Sequence, residues 1–379
     1  MLPAPKRDRT SLADVLPSCL SAIAGESNSL SLPAVTRAVV VLVDGLGAEA
    51  LRARAGHART LIGALTKASV IDSGFPTTTA AALASLATGV SPGQHGLVGY
   101  SVLDAANDRV VNQLSGWDAA LDPRQWQAVP TIFERATARG FGAAVIAPGR
   151  YRGSGFSEAV LRGAEFIAGS SIAERFEKAL EWVRTPGPNA IAYLYVPELD
   201  QTGHAAGWES PAWTTWLEQV DGEVRALVAA LGPKHGVLVT ADHGVVDVPH
   251  HNHILIDDLP GLLDGIRFVA GEPRCLQLHF EPDTSAESRA ALVQAWRDSE
   301  ESRSWVATRA EAINAGWFGE VRPEVEPRIG DLIVAARKNI AYYDGRAKNQ
   351  SGRKMIGQHG SWSPAEVQVP LLRFGAFAR

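Results

Sequence analysis

This 379-residue sequence predicts an α/β fold: a central, mostly parallel sheet flanked by helices, with a small α+β insertion capping one side. Three observations carry that expectation. Short, wholly apolar runs recur along the chain, as strands buried on both faces require. Helical stretches separate them, the alternation that builds a parallel sheet. Polar residues capable of chemistry stand directly after the runs, at the strand ends where open α/β sheets bind ligands.

The first run, residues 38–43, ends in Asp44-Gly45, and residues 48–54 read as a helix. Asp44 is therefore either a cap for that helix or a carboxylate delivered to the sheet edge. A second strand is expected near residues 69–73. Pro76-Thr77-Thr78-Thr79 then leads into an Ala/Leu run that Gly89 terminates, which puts Thr79 at or near a helix N-terminus. Free amides and the helix dipole there favour phosphate or sulfate, although a run of capping threonines would look the same. Later strands are expected near residues 142–147, 190–196, 236–241 and 331–336. Beyond the run 190–196, Asp200 and His204 stand four apart, on one face of a helical turn, and a carboxylate with an imidazole suits Zn²⁺ or a similar ion. The run 236–241 ends in Asp242-His243-Gly244. His359 lies in Gly357-Gln358-His359-Gly360, where the glycines permit close backbone approach.

Between residues 262 and 328 the texture changes. Residues 275–280 alternate like a strand, 285–299 read as a helix, and Trp305, Trp317 and Phe318 follow. We therefore expect a catalytic core of residues 1–261 and 329–379, interrupted by a small α+β cap at 262–328. Because His359 follows the cap, the core is discontinuous in sequence.

These residues, in this order, resemble the alkaline phosphatase superfamily, and within it the nucleotide pyrophosphatase/phosphodiesterase branch. The matching motifs are Val-Asp-Gly at Asp44, Pro-Thr-x-Thr ending at Thr79, and Thr88-Gly89 with Pro92 and His95-Gly96. Asp-x-x-x-His at Asp200 and His204, Asp-His-Gly at Asp242 and Gly-x-His-Gly at His359 complete the series. The similarity runs from about residue 38 to 372. It implies an alkaline-phosphatase-like core and a phosphoric diester hydrolase with two divalent ions, Zn²⁺ first, with Mn²⁺ fitting the same donors. Asp44, Thr79, Asp242 and His243 would hold one ion, and Asp200, His204 and His359 the other. Thr79 would be the nucleophile, forming a covalent phosphothreonine that hydroxide hydrolyses from the opposite side.

The sequence also departs from the family. Vertebrate-type relatives place Phe after the nucleophile and Asn about twenty residues later, where this chain has Ala80 and Tyr100. Tyr100 either donates to the phosphoryl group as a substrate-binding residue or packs over the His95-Gly96 turn. Alternatives within the same site are a phosphonate hydrolase or a phosphomonoesterase. The latter usually adds an arginine clamp, for which Arg150 and Arg152 are candidates, although an exposed basic loop is the preferred reading there. A sulfatase needs Cys or Ser at position 79. A non-catalytic metal-binding protein would not require the hydroxyl. His250, His251 and His253 read as a solvated loop rimming the site.

Composition fits a small-molecule enzyme. With 46% hydrophobic residues the chain can bury a large core, and a net charge of -5 argues against a nucleic acid polymer as partner while leaving a small phosphate ester, such as a nucleotide, compatible. The two cysteines, Cys19 and Cys275, suggest neither disulfide nor metal site. No run is long enough to span a membrane. The stretch from Met1 to Ser18, with Lys6, Arg7 and Arg9, lacks an apolar leader segment, so a cytoplasmic location is expected.

Overall fold

A computed structural model of the chain describes residues 1–6 and 9–378; Arg7 lies outside the described residues. The main sheet has seven strands in the order Val70–Asp72, Gln368–Gly375, His235–Thr240, Arg37–Val43, Ala190–Val196, Gly142–Ala147 and Glu165–Ala168. Every pairing among the last five is parallel. Gln368–Gly375 runs antiparallel to both neighbours, so its N-terminal end lies at the edge where the parallel strands finish.

The three middle parallel strands are buried along almost their whole length, which is why they read as unbroken apolar runs. Helices cover both faces. Ile172–Arg184 and Pro211–Ala229 start at Ser171 and Ser210, whose hydroxyls accept from the backbone amides of Glu174 and Trp213. The helix Thr79–Thr88 is buried throughout and stops at Gly89, whose φ of 76° is the left-handed cap only glycine adopts without strain. Among the described residues no helix is long and apolar enough to cross a membrane.

A second, four-stranded antiparallel sheet has the order Ile266–Glu272, Cys275–Phe280, Leu332–Ala336, Ser304–Thr308. Leu276, Leu278 and Val334 face the helix Ala286–Glu300 around fully buried Trp296. On the other face Cys275, Ile333 and Ala335 pack with Phe75, Trp317 and Phe318. The strand near residues 331–336 forms as expected, but in this sheet and not in the main one. Its run Leu-Ile-Val-Ala-Ala is buried on both faces, so its pattern matches that of a parallel-sheet strand. The second sheet therefore extends beyond residue 328.

Candidate metal-binding active site

The main sheet delivers its polar groups to one edge. Asp44 follows Arg37–Val43 directly, Asp242 and His243 follow His235–Thr240, and Asp200 and His204 sit on the helix Glu198–Ala206 after Ala190–Val196. Thr79 is the first residue of its helix. His359 precedes the antiparallel strand, whose direction brings it to the same edge.

Seven side chains meet there. His243 Nε2 lies 3.1 Å from Thr79 Oγ1 and 3.5 Å from both Asp44 Oδ1 and Asp242 Oδ2. Beside this group, His204 Nε2 is 3.3 Å from Asp200 Oδ2 and 3.3 Å from His359 Nε2. The His243 and His359 rings stack with centroids 3.7 Å apart, so the two groups abut. Ligand atoms of Asp44, Asp242 and His243 fall within 4.8 Å of one another, as do those of Asp200, His243 and His359. His243 therefore faces both sets, whereas the sequence reading gave it to one.

The arrangement suits cations. His204 and His359 each direct Nδ1 at a backbone carbonyl, Gly357 O and Thr77 O, both at 2.7 Å. A carbonyl only accepts, so Nδ1 carries the proton and Nε2 the lone pair, a tautomer assigned from its partner. Two lone pairs 3.3 Å apart repel unless a cation lies between them. Asp44 Oδ1, Asp200 Oδ1 and Asp242 Oδ2 are buried without a hydrogen-bond partner. Burial, with the Asp242 and Asp200 carboxylates next, holds Asp44 well above the usual carboxylate range, and burial also raises Asp242. Burial and the neighbouring His243 and His204 rings hold His359 neutral. A divalent ion would relieve each of these costs at once.

Supporting bonds fix the donors. The Tyr195 hydroxyl donates to Asp44 Oδ2, and the amides of Gly45 and His243 donate to Asp242 Oδ1 at 3.1 Å each. Sequence reading missed Tyr195 because it passes for an apolar member of its strand. Two tyrosines, at 193 and 195, with polar tips in a fully buried run were the available signal.

The site opens into a cavity of about 550 Å³. Leu83, Leu114, Tyr151, Phe156, Leu161 and Met355 supply an apolar wall, while Asp44, Thr79, Asp200, His204 and His359 line the polar end. No Lys or Arg lines it among the described residues. Tyr100 stands at its border, 40% exposed, and Ala80 is buried. Arg150 and Arg152 are exposed and do not line it; Arg150 lies over Tyr151 and Arg152 donates to Phe166 O. His250 and His251 are exposed, but His253 is half-buried, opens the strand His253–Leu255 and lies against Tyr343. His250 and His251 are thus exposed as expected, in a single 3₁₀ turn, and none of the three lines the cavity. Cys19 and Cys275 are buried and free.

Murine ectonucleotide pyrophosphatase/phosphodiesterase 5 superposes with a TM-score of 0.69 at 16% identity, covering 89% of this chain and 88% of that one. An inactive variant of the murine protein, in complex with AMP, gives 0.68 at 16% identity over 89% and 88% of the two chains. The human counterpart gives 0.69 at 16% over 89% and 87%. At that identity the likeness concerns the fold. An uncharacterized pyrophosphatase/phosphodiesterase of Schizosaccharomyces pombe is 25% identical over 195 residues, 49% of this chain but only 39% of the relative. The family model for type I phosphodiesterase / nucleotide pyrophosphatase matches residues 38–362, and that extent decides the matter. The chain belongs to the type I phosphodiesterase / nucleotide pyrophosphatase family.

Proposed function

We propose that this protein is a metal-dependent phosphodiesterase acting on small phosphate diesters such as nucleotides, with Thr79 as nucleophile. The observation that carries this reading is the convergence of three carboxylates and three imidazoles around one threonine hydroxyl at a helix N-terminus. Asp44, Asp242 and His243 with Thr79 would hold one divalent ion, and Asp200, His204 and His359 a second, with His243 close to both. Such ions, Zn²⁺ or Mn²⁺, supply Lewis-acid polarisation of phosphoryl oxygens and lower the pKa of a bound hydroxyl.

The chain's own residues do the rest. The Thr79 hydroxyl is 3.1 Å from His243 Nε2, which fixes its direction, and the free amides of its helix face the incoming anion. As the Thr79 proton passes to solvent, attack forms the Oγ1–P bond and breaks the P–O bond to one alcohol, which leaves with a proton from solvent. Hydroxide then breaks the Oγ1–P bond, regenerating Thr79 and releasing a phosphate monoester. The apolar cavity wall accepts the substrate's organic group, and AMP bound by the similar murine protein supports a nucleoside there. Tyr100, at the cavity border, would contact that substrate. Residues 262–336, which include the strand Leu332–Ala336 of the second sheet, would act as the cap closing the cleft over the rest of the chain.

A cavity lined by no Lys or Arg among the described residues favours a singly charged diester over a dianionic monoester or phosphonate. The test is kcat/KM for a p-nitrophenyl nucleotide diester, p-nitrophenyl phosphate and phosphonoacetate, using zinc-loaded protein beside Thr79→Ala. Preference for the diester, lowered about 10³-fold or more in the variant, is expected. Preference for the monoester or phosphonate would overturn the substrate class, and no turnover of any of the three would overturn the enzyme reading.

A further inference from the structure

One buried carboxyl at this cavity has no part in the chemistry above. Glu272 ends the strand Ile266–Glu272 of the second sheet, is 6% exposed, and lines the cavity alongside Thr78 and Thr79. Its Oε2 accepts from the backbone amide of Tyr100 at 2.8 Å. Its Oε1 is buried and has no hydrogen-bond partner. The carboxyl lies against Gly360, where a Cβ would come within 2.4 Å of Glu272 Cγ. Gly360, at a φ of 133°, therefore leaves the space that lets a side chain from the second sheet reach the residue after His359.

Resting on the phosphodiesterase reading, we propose that Glu272 is a substrate-contacting residue whose Oε1 hydrogen bonds to a non-bridging oxygen of the phosphodiester. Both partners are oxygens, so one of them must carry a proton. A phosphodiester is an anion at neutral pH and cannot supply it. The carboxyl therefore donates, as a neutral acid. An ionised Glu272 would instead place a second negative charge beside the phosphodiester, where only the proposed ions, and no Lys or Arg among the described residues, could offset it.

The surroundings agree. Burial pushes the Glu272 carboxyl up to about 8, with Glu366 adding to the effect and the Tyr100 amide opposing it, as does the nearby Thr78 hydroxyl, which stays outside hydrogen-bond geometry and is itself unpartnered. The Glu366 carboxylate is itself paired with Arg274, and the buried Cys275 thiol, cross-strand partner of Glu272, stays protonated; Tyr100, His359, Asp200 and His204 line the same cavity. Glu272 thus reaches the cavity from the capping sheet. The assignment also gives that sheet a direct part in selecting a monoanionic phosphoryl group.

The test uses metal-loaded protein and the p-nitrophenyl nucleotide diester, with kcat/KM followed from pH 6 to 9 in wild type, Glu272→Ala, Glu272→Gln and Thr79→Ala. Glu272→Ala is expected to lose about 10²-fold, the effect of removing one donor from a developing oxyanion, with metal content unchanged. Glu272→Gln is expected to recover most of that loss, because its amide still donates, and to lack a fall in rate at high pH that the wild type shows. A Glu272→Ala rate within about twofold of wild type, or Glu272→Gln as slow as Glu272→Ala, overturns the assignment. Should Glu272→Ala fail to fold, an unchanged high-pH fall in Glu272→Gln overturns it instead. No Thr79-dependent turnover in the wild type would defeat the phosphodiesterase reading and this assignment with it. Thr79-dependent turnover indifferent to Glu272 defeats the assignment alone.

Discussion

Two of the buried charge clusters in this molecule are satisfied to opposite degrees. Arg274, in the turn between the first two strands of the second sheet, and Glu366, beside the last strand of the main sheet, are both almost fully buried. They form two parallel bonds of 2.8 Å, and Arg274 also donates to the carbonyls of Lys338 and Ile340. Glu366 accepts further bonds from the Ser361 amide and the Ser363 hydroxyl. Every charge there has a partner. At the sheet edge, Asp44, Asp200 and Asp242 are as well buried yet each keeps one bare oxygen. Burial is common to both clusters, so completeness of pairing is what separates a latch between two sheets from a candidate metal site.

The comparison is broken most severely by neutralising the edge. Asp44→Asn or Asp242→Asn is expected to lower kcat/KM by about 10³-fold or more while making the metal-free protein more stable, because each removes a carboxylate that repels its neighbours across a buried site. Activity assays and urea unfolding of chelated protein check both halves. A variant that loses activity and metal-free stability together would mean that these carboxylates are structural like Glu366.

The converse change acts on the latch. Glu366→Ala leaves the Arg274 guanidinium buried and only partly bonded, and about 3–5 kcal/mol of stability should disappear. The urea midpoint should fall accordingly, with metal affinity changed far less. Should Glu366→Ala instead prove nearly neutral, the pair does not join the two sheets.

These two clusters also differ in how far the sequence revealed them. Asp44, Asp200, Asp242 and His243 follow wholly apolar runs, and a polar residue at the end of a buried strand is a local signal. Arg274 and Glu366 are 92 residues apart with nothing local to connect them. The same limit hid Glu272, which comes from the other sheet, and Tyr195, whose ring reads as apolar until its hydroxyl is seen on Asp44. Most strands of the main sheet were legible as runs of branched residues. Gln368–Gly375 was not, because Pro370 and Arg373 interrupt its pattern and a proline argues against an interior strand. Leu332–Ala336 was legible as a strand but not in its partnership, since burial on both faces looks alike in either sheet.

A third buried group is less satisfied than either cluster. His279, on the strand Cys275–Phe280, is 2% exposed and bonds through neither ring nitrogen. Burial lowers its pKa to about 4, against the opposing pull of Asp331. The unfolded chain, with an ordinary histidine near 6.5, binds the proton first as pH falls. Stability is therefore complete above about pH 6.5 and is lost as pH drops towards 4, by about 3 kcal/mol. Urea midpoints between pH 7 and 4 should show that slope in the wild type and a reduced one in His279→Leu. An equal slope in both would mean that His279 finds a partner for its proton.

The smallest expected effect tests the support of the site. Tyr195 donates to Asp44 Oδ2, leaving Oδ1 turned towards His243 Nε2. Tyr195→Phe keeps the ring and its packing against Tyr151 and Tyr193, so the fold should be unaffected. What changes is the freedom of one carboxylate, and partners of this kind typically contribute about tenfold to metal affinity. Titration of the chelated protein with Zn²⁺ should show that weakening without a change in the number of ions bound. If affinity is unaltered, Asp44 is positioned by its strand alone, and the bare oxygens at the edge follow from backbone geometry with no help from the hydrogen bonds behind them.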